Sequence, residues 1–244
     1  VRPNAEYEEL TAETLDRQDF MRDYWDYKAG QHVTIIGPNG RGKTTLGLDL
    51  LGATANPKLQ GFVLVSKPRD KTIDKYTKKL GYKRIETYPP DPQFIKKWPG
   101  YMVRPHQSLT DIEGDEKRLH DVFSATMRGC YASKKPIIVF ADEVQELQSS
   151  LKLKKECEAF WKRGRSLDSG LWALAQRSSF NSQDMYNAPE HLFLFSDPDK
   201  RNRQRFSEIG GVDPDLVMDT VNGLDPYQAL YIKRTGNHLC IVNP

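Results

Sequence analysis

"GPNGRGKTT", Gly37 to Thr45, follows the apolar run "HVTII" (32–36) and leads into "TTLGLDLL", a stretch of helical character. It fits G-x-x-x-x-G-K-[ST] in the context that gives the motif meaning, a strand before it and a helix after it. Glycines at 37, 40 and 42 let the backbone turn its amides inward around phosphate groups, and the following helix adds its positive end. The reading therefore takes Gly37, Pro38, Asn39, Gly40, Arg41, Gly42, Lys43, Thr44 and Thr45 as a nucleotide-binding loop. Lys43 is expected to reach the β- and γ-phosphates of ATP and the Thr44 hydroxyl to bind Mg²⁺.

The rest of the chain supplies the setting such a loop needs. Short β-branched runs alternate with longer amphipathic stretches, which favours a mainly parallel sheet flanked by helices, an α/β fold. Strands are expected at 33–36, 62–66, 84–87, 101–104, 137–141, 171–175 and 192–195, and helices at 43–53, 70–80, 115–132, 144–168 (with a break) and 199–209. The closing "YQALYIKR", "TGN" and "HLCIV" read as a C-terminal β-hairpin, because Gly and Asn tolerate the positive φ of a tight turn. The domain division is an N-terminal helical segment over 1–28 and a nucleotide-binding domain over 29–244. A start at Val1 and an end on "CIVNP" are compatible with a piece of a longer protein.

Composition narrows the class. The 244 residues suffice for one large domain with a sizeable core, and 28% charged against 38% hydrophobic residues describes a well-solvated surface. A net charge of +3 does not by itself announce nucleic-acid binding, although basic residues can still gather along one groove. Three well-separated cysteines, Cys130, Cys157 and Cys240, read as free thiols without zinc-site spacing. The apolar runs are too short to cross a bilayer, so the expected location is the cytoplasm, with no membrane partner.

A second acidic site supports the loop. "KKPIIVFADEV" runs an apolar strand into Asp142 and Glu143, at the strand end where ligands gather in an open α/β sheet. Asp142 is assigned to the Mg²⁺ shell and Glu143 to polarising an attacking water. The competing use of the pair is to cap the next helix, where acids are favoured. Further along, "FWKRGRSLDSGLWALAQRSS" (160–179) places basic residues at a helix end, then a turn, then a strand ending in Gln176 and Arg177. Gln176, at the end of the strand beside Asp142, is expected to sense the γ-phosphate. Its alternative is a simple strand-end cap. Tyr24, Trp25 and Tyr27 either stack on a base or pack an N-terminal helix onto the sheet.

The stretch "KRGRSLDSGLWALAQRSS" resembles the FtsK/HerA superfamily, in which a Gly-Arg pair ends a helix and a strand runs into Gln-Arg. The resemblance extends to Gly30-Gln31-His32, "LVSKPRD", "IIVFADE", "APEHLFLFSDPDKRNRQRFSEIGG" and the closing "YQALYIKRTGNHLCIVNP", most of the chain from about residue 25. Ser66-Lys67-Pro68 departs from the acid expected after the second strand. An LSGGQ-like signature is absent, which counts against a transporter-type ATPase. The resemblance implies a RecA/ASCE-like P-loop NTPase, and its compact size is similar to the genome-packaging ATPases of tailed phages.

What the resemblance implies for function is ATP hydrolysis coupled to translocation of double-stranded DNA by a homomeric ring, pentameric or hexameric, docked on a phage portal or procapsid. A neighbouring subunit's arginine would complete each site. Arg165 is the first choice for this finger, with Arg163 and Arg177 behind it. DNA contacts fall among the basic clusters at 66–79, 94–98, 150–156 and 199–205, with Lys67, Arg69, Lys152, Lys154 and Lys155 as candidates. Competing functions are a cellular or conjugative DNA pump of the same superfamily, a nucleotide-regulated scaffold with little hydrolysis, and a small-molecule kinase.

Overall fold

In a computed structural model that describes residues 12–90, 97–176, 183–209, 212–235 and 238–244, the apolar runs join into one ten-stranded sheet. The chain begins with β1 (Glu13–Leu15) and α1 (Arg17–Asp23), followed by β2 (Val33–Ile36), α2 (Lys43–Thr54), β3 (Gln60–Leu64), α3 (Lys71–Lys79), β4 (Lys83–Ile85) and β5 (Gly100–Val103). It continues through α4 (Ile112–Tyr131), β6 (Ile137–Ala141), α5 (Val144–Gln148), α6 (Lys154–Arg163), a 3-10 turn (Gly164–Leu167) and β7 (Ser169–Ala175). The last part holds α7 (Asp184–Asn187), β8 (His191–Phe195), α8 (Lys200–Gln204), a 3-10 turn (Arg205–Glu208), α9 (Pro214–Gly223), β9 (Ala229–Lys233) and β10 (His238–Val242).

Strand order across the sheet is β1-β10-β9-β8-β2-β7-β6-β3-β5-β4. From β8 to β4 every pairing is parallel, whereas β9 runs antiparallel to both β8 and β10. The alternation of side chains along each strand divides the core in two. On β6 and β7, Ile137, Val139, Ala141, Leu171, Ala173 and Ala175 face the layer holding α4, α6 and α9. Ile138, Phe140, Trp172 and Leu174 face the layer of α1, α2 and α3. Both faces are covered, which is why these strands are continuous apolar runs in sequence. Burying each Leu, Ile or Phe contributes roughly 1.5–3 kcal/mol.

Crossovers set the position of the site. After β2 the chain passes onto the α2 face toward β3, and after β6 it passes onto the opposite face through α5 and α6. Beyond the C-terminal ends of β2 and β6 the two loops leave on opposite sides of the sheet, and the crevice between them is the usual ligand position in open α/β sheets.

The sequence reading placed the core strands within two residues of their observed bounds and left out β1, α7 and α9. The strand β1 is short and largely exposed, so it has no periodicity to detect. For α9 a signal existed: Pro214 occupies its first turn and the Asp213 side chain accepts from Asp215 N at 2.9 Å. The helix expected over 144–168 breaks where Lys152 takes a φ of 53°, between α5 and α6. The hairpin's second turn residues, 236 and 237, lie outside the described residues, while the β9–β10 pairing itself is present. Among the described residues no helix is long and apolar enough to cross a membrane, and all three cysteines are buried free thiols.

The aromatic residues at the front pack rather than wait for a base. Trp25 lies 5.6 Å edge-on from Trp172 and 6.1 Å from Phe193, and its Nε1 donates to Thr54 Oγ1 at 2.8 Å. Tyr27 meets Trp172 at 5.1 Å and donates its hydroxyl to Gln31 O. Two stretches that carried the family resemblance touch one another at the N-terminal edge of the sheet. Gly30 has a φ of 81°, and a Cβ there would lie 2.7 Å from Arg165 O; one on Gly164 would lie 2.4 Å from Ser169 O.

Two buried histidines follow from the same packing. His32 Nδ1 accepts from Leu171 N at 3.0 Å, and burial lowers its pKa to about 4. His191 bridges Tyr231 Oη at 2.8 Å and Gln31 Oε1 at 3.0 Å, and burial lowers its pKa to about 3. In the unfolded chain both titrate near 6.5. The native state therefore binds fewer protons than the unfolded one between about pH 6.5 and 4, and stability falls as pH drops through that window. Urea midpoints measured from pH 7 to 4 should fall more steeply for the wild type than for His191→Asn, by up to one proton's worth of slope.

Candidate active site

The loop from Gly37 to Gly42 connects the buried end of β2 to the first turn of α2. Its conformation needs glycine. Gly40 and Gly42 have φ of 75° and 93°, and a Cβ on Gly37 would stand 2.5 Å from Phe195 Cβ, an atom too close to the backbone to move aside. Gly37 N donates to Ala175 O at 3.1 Å, which pins the loop to the end of β7.

Above the loop lies a cavity of about 540 Å³ lined by Asn39, Gly40, Gly42, Lys43, Thr44, Thr45, Lys67, Thr72, Glu143 and Tyr227. Lys43 is buried and folds back so that its Nζ donates to Pro38 O at 2.9 Å. Burial pulls its pKa down to about 8, against the opposing pull of Asp142 and Glu143. Thr44 Oγ1 donates to Asp142 Oδ1 at 2.7 Å, tying the first turn of α2 to the end of β6. Burial raises the Asp142 pKa, opposed by this hydrogen bond and by the Lys67 charge.

Glu143 is held from two sides. Gln176 Nε2 donates to its Oε1 at 2.9 Å, and Lys67 Nζ lies 2.6 Å from the same oxygen and 3.7 Å from Asp142 Oδ2. Burial pulls the Lys67 pKa down, but the hydrogen bond to Glu143 and the charges of Asp142, Glu143 and Asp70 outweigh it, and the net shift is upward. Among the described residues the contacts to Glu143 fall on Oε1, which leaves Oε2 to accept from a water. The Thr44 hydroxyl and the Asp142 carboxylate offer two hard oxygens, and a site with so few protein ligands fits Mg²⁺ that completes its shell with phosphate and water.

The predicted residues thus divide. Lys43, Thr44, Asp142, Glu143 and Gln176 come together across three strands. Gly37, Pro38, Asn39, Gly40, Gly42 and Thr45 form or line the loop, and Arg41 is a half-buried loop residue outside the cavity lining. Arg163 and Arg165 are exposed at the opposite, N-terminal edge of the parallel strands, about one strand length from the cavity. Arg177 lies outside the described residues. Lys67, a candidate DNA contact by sequence, lines the cavity instead. Thr72 and Tyr227 are cavity residues that motif reading missed. The only hint for Tyr227 was an aromatic in the turn-forming "LDPYQ" before the last hairpin. A smaller apolar cavity of about 250 Å³ between α4 and α6 includes Arg128, whose charge is already met by Glu156 at 2.8 Å.

No protein-family model matches the chain, and no curated protein does. Solved structures do. The genome-packaging NTPase B204 from Sulfolobus turreted icosahedral virus 2, in complex with AMPPCP, superposes with a TM-score of 0.58 over 89% of this chain and 98% of that one, at 13% identity. The chain shares the fold of a viral genome-packaging NTPase. VirB4 of Thermoanaerobacter pseudethanolicus aligns with a TM-score of 0.63 over 87% of this chain and 88% of its own, at 10% identity. EssC (ATPases 2 and 3) from Geobacillus thermodenitrificans gives 0.55 over 89% of this chain and 40% of its own, at 16% identity. At these identities the likeness is one of fold, a mainly parallel α/β sheet with a phosphate loop, as the sequence led one to expect.

The Lys43 environment generates a measurable consequence. With a pKa lowered to about 8, the ammonium is charged at pH 6 and half discharged at pH 8. A polyphosphate raises that pKa, so binding takes up protons at pH 8 and above, and affinity falls as pH rises through about 8. Calorimetric titration with inorganic tripolyphosphate in buffers of different ionisation enthalpy should show uptake of about half a proton at pH 8 and much less at pH 6 from this group.

Proposed function

We propose that the protein is a Mg²⁺-dependent ATPase that translocates double-stranded DNA as one subunit of a homomeric ring, of the genome-packaging type. The observation that carries the hydrolytic part is the arrangement of Glu143. It sits in a phosphate-loop cavity, fixed through one oxygen by Gln176 and Lys67, with the other oxygen available to a water. A simple nucleotide-binding scaffold has no use for a carboxylate so placed.

In this reading the loop amides and Lys43 hold the β- and γ-phosphates, and Thr44 with Asp142 provides the protein's share of the Mg²⁺ shell. When bound, Mg²⁺ supplies charge neutralisation on the phosphates. Lys43 exchanges its contact with Pro38 O for phosphate oxygens. Glu143 accepts a proton from the attacking water, and Gln176 reports the state of the γ-phosphate from the end of β7 toward the segment after it. The same electrostatic logic calls for an arginine from a neighbouring subunit. Arg165, at the far edge of the sheet, cannot serve its own cavity and is therefore proposed to serve the next one in a ring.

Support for DNA as the transported polymer comes from B204, described as the DNA-packaging ATPase of Sulfolobus turreted icosahedral virus, whose fold this chain covers over 99% of its length. A second reading is a cellular or conjugative DNA pump with the same engine. A bound portal or procapsid distinguishes the first and a membrane complex the second, and the cytoplasm is the expected compartment of a packaging motor.

Glu143→Gln should keep ATP affinity within a few-fold and lower turnover by about 10²-fold or more. Double-stranded DNA should stimulate the wild-type ATPase, and lack of stimulation would count against the motor. Arg165→Ala and Glu143→Gln proteins, each expected to be nearly inactive alone, should regain ATPase activity when mixed, because a Glu143→Gln subunit lends its Arg165 to the intact site of an Arg165→Ala neighbour. An active Arg165→Ala homomer, or no regain on mixing, would remove the trans assignment.

A further inference from the structure

The cavity has a second end whose chemistry the phosphate site does not use. Along the sheet, β2 is flanked by β7 and β6 on one side and by β8 and β9 on the other. Asp142 and Glu143 follow β6, two strands to one side, and Tyr227 precedes β9, two strands to the other, so each stands about 10 Å from the loop's strand. Because β9 is antiparallel, pairing Ala229 with Phe195 at the end of β8, the turn before β9 rises at the same edge of the sheet as the phosphate loop.

Tyr227 is placed there at a cost. Its φ of 72° lies in the left-handed region, which a bulky side chain rarely adopts. The turn holds it through Gln228, whose N donates to Asp225 O at 3.1 Å and whose side chain accepts from Asp225 N at 2.8 Å and donates to Asn243 Oδ1 at 2.9 Å. The ring is nevertheless 52% exposed, although its edge lies close over Gly42, with Cδ1 3.5 Å from where a Cβ would stand. Among the large hydrophobic residues exposed in the described structure, Leu109, Ile112, Leu167 and Tyr227, only Tyr227 lines the cavity. An exposed aromatic ring on a hydrogen-bonded turn beside a phosphate loop, on the side away from the two carboxylates, is what a nucleobase needs.

We propose that Tyr227 is the platform on which the base of the bound nucleotide stacks. The proposal rests on reading the cavity as a nucleoside triphosphate site and adds the residue that recognises the base. Stacking rewards ring area rather than hydrogen-bond identity, so the site prefers purine to pyrimidine nucleotides while discriminating weakly between purines.

The test compares ATPγS with inorganic tripolyphosphate, which lacks a base, on the full chain. Tyr227→Ala and Tyr227→Asn, the latter a residue that tolerates the left-handed turn, should weaken ATPγS roughly ten-fold and leave tripolyphosphate within two-fold. Tyr227→Phe should retain wild-type affinity. The upfield ring-current shift of the adenine protons on binding should be present in wild type and Tyr227→Phe and absent in Tyr227→Asn. Equal weakening of both ligands, or no weakening of ATPγS, overturns the platform while leaving the phosphate site intact. A wild type that binds neither ligand overturns the nucleotide reading itself.

Discussion

Thr44 and Asp142 are 98 residues apart in the chain and 2.7 Å apart in space, and the site depends on that hydrogen bond. It joins the first turn of α2 to the end of β6 across the intervening β7. Bonds to charged groups contribute about 1.5–3 kcal/mol. Here the bond also keeps a buried carboxylate supplied with a donor, without which its charge would be hard to sustain at that depth. The two residues it joins are the protein's proposed ligands for Mg²⁺.

Around this bond the charges are arranged in series. Lys43 is buried and partly neutralised by its surroundings, Lys67 is half exposed and fully engaged by Glu143, and Gln176 fixes the same carboxylate from β7. Lys67 pairs with Asp142 and Glu143, while the Lys43 ammonium is held by the Pro38 carbonyl and by the charges of the same two acids. A nucleotide brings its own negative charge and redistributes these contacts. The loop glycines set the geometry, whereas the strand-end side chains set the electrostatics.

The far edge of the sheet shows a different economy. Gly30, His32, Gly164 and Ser169 interlock through close backbone approaches and a histidine acceptor for Leu171 N. Sequence similarity there reports packing of the turn before β7 against the start of β2, and exposes Arg163 and Arg165 on its outer side. A stretch that reads as catalytic in sequence is thus built first as a structural corner.

The phosphate loop, the acidic strand end and the strand carrying Gln176 were legible because each rests on local rules: glycine where φ is positive, uninterrupted apolar runs for strands buried on both faces, polar residues at strand ends. That Asp142, Glu143 and Gln176 belong to one site followed from the order of motifs alone. Long-range geometry decided the rest. Lys67 reads as a surface lysine in a basic cluster and becomes a cavity residue only because β3 lies beside β6. Trp25 and Tyr27, open between stacking and packing, are settled by Trp172 and Phe193 beneath them. Tyr227 had no motif at all. Its place over Gly42 comes from an antiparallel strand returning beside β8, a pairing between segments that local sequence does not encode, because the free energy that selects it is burial shared across the whole sheet.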